Sequence, residues 1–245
     1  MERVEDDRSS LAWFLTGARG IFSMPAIILM LSFVGFCSLT AQAGIPPEQV
    51  VFMTGIVWAL PAKVILVSSI LSGASLATAF LAVTLSSVRL MPMVAALVPE
   101  LRTPKTPTWL LLVLSHFIAI TAWVFAMEHV QQVPRAHRAT FFAGFGITLV
   151  AANMTLVAVV YSLVADFPPI IAGCLFFLTP VYFLTSIWSS ARHRVVYLAL
   201  VVGLVAGPLF YWLLPEFDIL LAGVGGGTLA WFVERRWRLR REAGA

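Results

Sequence analysis

The sequence predicts an all-α integral membrane protein with seven or eight transmembrane helices. Of the 245 residues, 60% are hydrophobic and 11% are charged, whereas soluble domains have about 45–50% apolar and about 25% charged residues. The apolar residues fall into segments of about twenty, enough for a helix to cross a bilayer. The predicted spans cover about residues 21–42, 50–71, 74–97, 108–127, 140–165, 169–189, 195–213 and 217–233.

Charge and cysteine content exclude several other classes of protein. The net charge of +4 comes from positive residues in short loops and at the C-terminus, which is the pattern that orients a membrane protein, so we expect no nucleic-acid partner. Both cysteines lie in apolar runs, as small buried residues do, and the four histidines have no metal-ligand spacing. The sequence therefore predicts no disulfide framework, metal or cofactor.

The chain begins with a segment of mixed charge, residues 1–20, which we expect to be cytoplasmic. Ala41-Gln42-Ala43 imitates a signal-peptidase site. However, the N-terminal region is acidic and the apolar run is longer than the ~7–15 residues of a signal peptide. We therefore expect residues 21–42 to remain as the first span of a transmembrane domain at 21–233.

The second and third spans contain features that a bilayer disfavours. Pro61 breaks the second span, since proline removes a backbone donor, and Lys63 follows it. The third span contains Arg89 and Pro92 within the segment 86–92. An ionisable group inside a span costs at least ~2.5–3.5 kcal/mol and usually faces a bundle interior. Broken helices with buried charge are typical of a transporter site.

The later spans are separated by loops whose charge predicts the orientation. The basic loops 128–138 and 192–194 and the tail at 234–245 are expected to be cytoplasmic, as is the N-terminus. Loop 98–107 disagrees, because eight crossings place its Arg102 and Lys105 outside. Either the 50–97 region is re-entrant or this loop tolerates two charges.

The two halves of the chain share a faint pattern that suggests an internal duplication. Ala-Gly-Ile-Pro-Pro precedes the span broken at Pro61, and Ala-Asp-Phe-Pro-Pro precedes a span that contains Thr179-Pro180. Duplicated halves place the site of a secondary transporter at their interface. Prolines at ordinary helix ends would give the same pattern, so both interpretations stay open. Gly225-Gly226-Gly227 indicates close helix packing.

Several segments together resemble the AzlC family, the large subunits of bacterial branched-chain amino-acid exporters. They are MPAIILMLSFVGF, AGIPPEQVVFMTGIVWALPAKVILVSSILSGASL, LSSVRLMPMVAAL, GFGITLVAANMTL, GCLFFLTPVYFLTSI and VVGLVAGPLF. The resemblance covers about residues 20–233. It implies a multi-pass protein of the bacterial inner membrane that works with a small AzlD-type membrane subunit.

The chain departs from the family pattern at three places. It has Leu60-Pro61-Ala62-Lys63-Val64 where the family typically has Gly-Ala-Ser-Gln-Phe, and Ser87-Val88-Arg89 where the family has Asp-Val-Arg. It has Ser115-His116-Phe117 where the family has Thr-Asp-Glu. Acidic groups are lost and a lysine is gained, so a role of those acidic groups in proton coupling or ammonium binding does not transfer to this chain.

Eight residues are candidates for the transport site, each with a structural alternative. Lys63 would bind a carboxylate, or lie near a cytoplasmic exit; Arg89 would bind a carboxylate, or cap a half-helix. His116 would relay protons, or be a satisfied core histidine. The other candidates, which could instead serve packing, capping or kinks, are Trp58, Pro61, Ser87, Asn153 and Thr179.

We therefore expect a secondary transporter that moves a branched-chain or other small apolar amino acid across the lipid bilayer, with no enzymatic activity. The resemblance to the family implies export. Two alternatives stay open. One is a membrane scaffold that only stabilises a partner. The other is an integral-membrane enzyme acting on a lipid, against which no set of His, Asp and Glu converges on any span.

Overall fold

The computed structural model describes residues 9–164, 167–190, 194–213 and 221–242, and these residues contain helices but no strand. The helices are α1 (Ser10–Ala18), α2 (Met24–Gln42), α3 (Pro47–Ile56), α4 (Leu60–Leu71), α5 (Leu76–Val88), α6 (Met91–Leu101), α7 (Thr108–Ser115), α8 (Ile120–His129), α9 (Arg138–Val164), α10 (Pro169–Ser190), α11 (Arg194–Leu213) and α12 (Gly226–Glu242). The all-α prediction is confirmed for the described residues.

The chain divides into two compact units. The first contains residues 1–79 and 90–179, and the second contains residues 80–89 and 180–245. The buried apolar core of the first unit is built mainly from α2, α3, α8 and α9, with Phe33, Phe36, Phe142 and Phe145 among its largest buried side chains. In the second unit, α11 packs along α12.

Three helices among the described residues are long and apolar enough to cross a membrane. They cover Met24–Gln42, Arg135–Val164 and Val195–Leu213. The pair α5–α6, bent by 56° at its break, adds a fourth if the two helices form one span. The structure therefore supports a membrane protein with several apolar helices, and the count of seven or eight spans stays a prediction.

Two of the predicted helix breaks are present, and both precede a proline. The chain leaves the helical conformation at residues 57–59, and Pro61 is the second residue of α4. The break between α5 and α6 leaves Pro92 as the second residue of α6. Proline is tolerated in the first helical turn because no intrahelical donor is needed there. Each proline therefore starts the helix that follows the break.

Two expectations about helix continuity are wrong. Helix α10 runs through Thr179-Pro180 without the expected interruption, so the second half of the chain does not repeat the break at residues 57–59. The expected fourth span, 108–127, is interrupted at residues 116–119. No proline lies there, and the cause is a set of tertiary contacts made by His116 and Phe117.

Helix α9 is the element against which the first unit is assembled, and its contacts occur in order along its length. Arg138 at its start pairs with Glu100, Gly146 packs against Phe117, and Met154 packs against Gly55. Near its end, the Tyr161 hydroxyl donates a hydrogen bond to the carbonyl oxygen of Ile45. With 27 residues, α9 is about 40 Å long.

Glycine allows α1 to approach α9 closely. A Cβ atom added at Gly17 would overlap the carbonyl oxygen of Phe141, and one added at Gly144 would overlap the carbonyl oxygen of Phe14. Residues 10–18 are thus packed against the membrane-spanning core, with Trp13 buried. In the glycine cluster at 225–227, only Gly226 lies close to a neighbouring helix: a Cβ added there would be 3.2 Å from a Val202 methyl group.

We expect Gly144→Ala to destabilise the protein by about 1–3 kcal/mol, since overpacking a close helix contact forces backbone shifts. Gly203→Ala is the matched control, because nothing lies within 4 Å of a Cβ at this helical position, and it should be neutral or stabilising. Thermal denaturation of the detergent-solubilised protein measures both. Equal melting temperatures for the two variants would contradict the close approach of α1 and α9.

Candidate functional site

The centre of the candidate site is the ammonium group of Lys63. The sequence places Lys63 in the first turn of α4, directly after the break at residues 57–59. The residue is completely buried (0% exposed). Its Nζ atom has no hydrogen-bond partner among the described residues. A buried amine without a partner costs several kcal/mol of desolvation, so the arrangement requires an explanation.

Three aromatic rings surround this amine. Nζ lies 3.9 Å from the centroid of Phe33, 5.6 Å from that of Phe36 and 5.9 Å from that of Trp58. Phe33 and Phe36 lie one helical turn apart on α2, and Trp58 lies in the break between α3 and α4. We call these four residues the Lys63 cage. Cation–π attraction contributes about 0.5–2 kcal/mol per favourable ring, which offsets only part of the desolvation cost.

No carboxylate of the described residues neutralises Lys63. The described part of the first unit contains Glu48, Glu100 and Glu128. Glu48 lies in the first turn of α3, Glu100 pairs with Arg138, and Glu128 lies near the end of α8. The cage therefore presents an amine and apolar walls. A ligand carboxylate would stabilise the protonated form of this amine, and an aliphatic side chain would suit the rings.

A second unsatisfied polar group lies in the same unit. Asn153, on α9, is completely buried, and its amide nitrogen donates to the Leu149 carbonyl oxygen at 2.8 Å. Its Oδ1 atom has no partner among the described residues. The neighbouring residue, Met154, packs against Gly55 at the end of α3. Asn153 thus offers a free buried acceptor, which is what the ammonium group of an amino acid requires.

His116 lies at the break between α7 and α8. Its Nε2 atom is 2.9 Å from the carbonyl oxygen of Gly55. A carbonyl can only accept, so Nε2 carries the proton and donates it. This bond satisfies one of the carbonyl groups freed at the end of α3. The Nδ1 atom is then the nitrogen at which a relay would take up a proton.

Of the other predicted residues, Pro61 is exposed at the start of α4. Ser87 and Arg89 belong to the second unit, where the Ser87 hydroxyl donates to the Val83 carbonyl oxygen at 2.8 Å. Thr179 lies within α10, and its side chain is outside the described part. The structure thus brings Trp58 and Lys63 into contact, and the roles of the whole predicted set stay predictions.

Sequence reasoning missed Phe33, Phe36 and the ion-pair cluster around Arg138. The two phenylalanines occur in an apolar run without any local signal. Arg138 is 6% exposed, whereas the sequence indicates only a charge of the basic loop 128–138. Its Nη1 atom lies 2.5 Å from Oε2 of Glu100, and its Nη2 atom lies 3.2 Å from Oε1 of Gln131. An acidic residue in one loop and a basic residue in the next were the available signal.

The family model described as AzlC protein matches residues 25–165. The match includes all but the first residue of α2 and all of α3 to α9, and therefore the whole Lys63 cage. The chain belongs to the AzlC family. This is a transporter family associated with branched-chain amino-acid transport. Neither the curated proteins nor the solved structures give a match. Among the described residues, no group of His, Cys, Asp and Glu side chains is arranged to hold a metal ion.

Replacing Lys63 by methionine should stabilise the AzlC-family fold. Methionine fills a similar volume, and replacing buried charged groups by apolar ones is often stabilising by about 1–4 kcal/mol. The melting temperature of purified Lys63→Met should therefore exceed that of the wild type. A clearly lower melting temperature would show that the amine has a strong partner in the empty protein.

Proposed function

We propose that this chain is the large subunit of a two-component secondary transporter, which exports branched-chain or other small apolar amino acids across the bacterial inner membrane. The proposal depends on the buried amine of Lys63, which lies inside an aromatic cage at a helix break and has no partner among the residues that the structure describes. Family membership supports the transport activity, and resemblance to the family supports the small AzlD-type partner.

The substrate carboxylate would pair with Lys63 and supply the hydrogen bonds that water provides to an exposed ammonium. Charge-assisted hydrogen bonds of this kind are roughly twice as strong as neutral ones. The substrate ammonium would bind Oδ1 of Asn153 and carbonyl oxygens at the end of α3, where the helix dipole favours a cation. The aliphatic side chain would contact the rings of Phe33, Phe36 and Trp58.

The transport cycle would expose this site alternately to the two membrane faces. Half-helices that end at mid-membrane are the usual place of substrate binding in secondary transporters, and alternating access moves one part of the fold around that fixed site. We place the site at the break between α3 and α4. The basic loop 128–138 and the C-terminal tail are assigned to the cytoplasm on charge bias.

An efflux assay tests the proposal directly. Cells that lack the protein are loaded with dipeptides, and release of leucine, isoleucine, valine and methionine is followed with and without the chain and a co-expressed AzlD-type subunit. We expect chain-dependent release that falls at least about tenfold in Lys63→Met, because losing one member of a buried charge pair costs about 2–5 kcal/mol.

Lys105→Met is the matched control for this assay. Lys105 is exposed in the loop between α6 and α7, so its loss should leave release unchanged. Absence of release for all four amino acids, with a folded chain and its partner present, would contradict the proposed substrate class. Equal release by Lys63→Met and the wild type would move the site away from the cage.

Proton coupling through His116 is tested in proteoliposomes with an imposed pH gradient. Wild-type transport should follow the gradient if the imidazole of His116 takes up and releases the coupled proton. His116→Gln keeps an N–H donor for the Gly55 carbonyl oxygen but cannot carry a proton, so its transport should continue without responding to the gradient. Wild-type transport that ignores the gradient would rule out this coupling.

A further inference from the structure

We propose that α7 and α8 form a re-entrant hairpin, which enters and leaves the membrane at the face of Arg138, and that His116 at its tip positions the carboxyl end of α3 at the Lys63 cage. The first half concerns topology and does not depend on the transported substrate. The second half rests on the proposed function.

The lengths of the two helices suit a hairpin. Helix α7 has eight residues and α8 has ten, which correspond to about 12 Å and about 15 Å. Each is about half of the ~30 Å hydrocarbon thickness. A hairpin of two such helices would place its tip, residues 116–119, near the middle of the membrane.

The two ends of the segment 108–129 lie at the same end of α9. Glu100 precedes α7 and Gln131 follows α8, and both side chains bind the guanidinium of Arg138. They also contact each other, with Nε2 of Gln131 donating to Oε2 of Glu100 at 3.1 Å. If α7 and α8 together crossed the bilayer, Glu100 and Gln131 would lie on opposite faces. Their direct contact is incompatible with that arrangement.

The loop before α7 is unsuited to carry the chain to the opposite face. It turns tightly, because the backbone N–H of Thr106 donates to the Thr103 carbonyl oxygen at 3.0 Å and their hydroxyl groups are 2.7 Å apart. Its charged residues, Arg102 and Lys105, are exposed. Drawing them into hydrocarbon would cost at least ~2.5 kcal/mol each. At the face of Arg138, they instead join the other basic loop.

The tip of the hairpin meets the end of α3 partway along α9. Phe117 packs against Gly146, where an added Cβ would lie 2.7 Å from the Phe117 Cβ. Helix α3 arrives from the other end of α9, with Ile45 beside Tyr161 and Gly55 beside Met154. The bond from His116 Nε2 to the Gly55 carbonyl oxygen therefore joins two half-helices that come from opposite ends of α9.

This topology removes the conflict in loop charge. Glu100 lies at the Arg138 end of α9, together with Lys105 and Arg135, whereas Glu48 follows Ile45, which lies beside Tyr161 at the other end. The chain between Glu48 and Glu100 must therefore cross the membrane an odd number of times. The bent pair α5–α6 provides one crossing, so α3–α4 returns to the face from which it enters. That is the re-entrant alternative for the 50–97 region, and all the basic loops then lie on the cytoplasmic face.

Amine labelling of membrane vesicles tests the topology. Wild-type Lys105 is an exposed natural probe, whereas Lys63, the other lysine in the sequence, is buried. Arg135→Lys, Gln49→Lys and Ser72→Lys add probes at three further exposed positions. A membrane-impermeant amine reagent is applied to inside-out and right-side-out vesicles, and the labelled peptides are identified by mass.

We expect Lys105 and the lysine at 135 to react only in inside-out vesicles, and the lysines at 49 and 72 only in right-side-out vesicles. Reaction of Lys105 and of the lysine at 135 from opposite faces would overturn the hairpin. Because wild-type Lys105 needs no substitution, this part of the test does not depend on the folding of a variant.

Transport kinetics test the positioning role of His116. We expect His116→Ala to raise the KM for efflux by about tenfold, the effect of one lost hydrogen bond, and His116→Gln to restore it because the amide can donate to Gly55. An unchanged KM in His116→Ala, or no rescue by glutamine, would overturn the positioning role. Same-face labelling without any efflux would keep the hairpin and contradict the proposed function instead.

Discussion

The central constraint in this protein is the burial of the Lys63 amine, for which the described residues provide no hydrogen-bond acceptor. Lys63 is completely buried. Burying an ammonium in this way is unfavourable in any fold, and the rings of Phe33, Phe36 and Trp58 offset only part of the desolvation cost. Strain of this kind is retained where function requires it. A ligand carboxylate would complete the site, so binding energy and recognition would come from the same contact.

The remaining architecture brings this amine to the centre of the first unit and holds it there. The break before Pro61 ends α3 early, leaves carbonyl groups without intrahelical partners, and starts α4 with Lys63 in its first turn. Helix α9 is the support along which α1, α3 and α8 pack. The cluster of Glu100, Gln131 and Arg138 ties two loops to its amino end. Short helices are therefore stabilised by tertiary contacts rather than by their own length.

Sequence reasoning predicted the helical class, the family and the breaks near Pro61 and Pro92, because composition and proline act locally. Sequence reasoning failed where tertiary contacts determine whether a helix continues or breaks. The break at residues 116–119 depends on contacts with Gly55 and Gly146, and these four positions contain no proline or glycine that would predict it. Conversely, α10 continues through position 180. The lysine of the site was recognised from its unusual position in an apolar span, whereas Phe33 and Phe36 look like ordinary apolar residues until the fold brings them to the amine.

Direct ligand binding to the purified protein tests the central claim, that Lys63 recognises a carboxylate. Leucine, its amide, which lacks the carboxylate, and 4-methyl-2-oxopentanoate, which lacks the amine, would be compared by the rise they cause in melting temperature. We predict that leucine stabilises the wild type, that the oxo acid does so to a smaller extent, and that the amide does not. Lys63→Met should respond to none of them. Stabilisation by the amide equal to that by leucine would contradict the account.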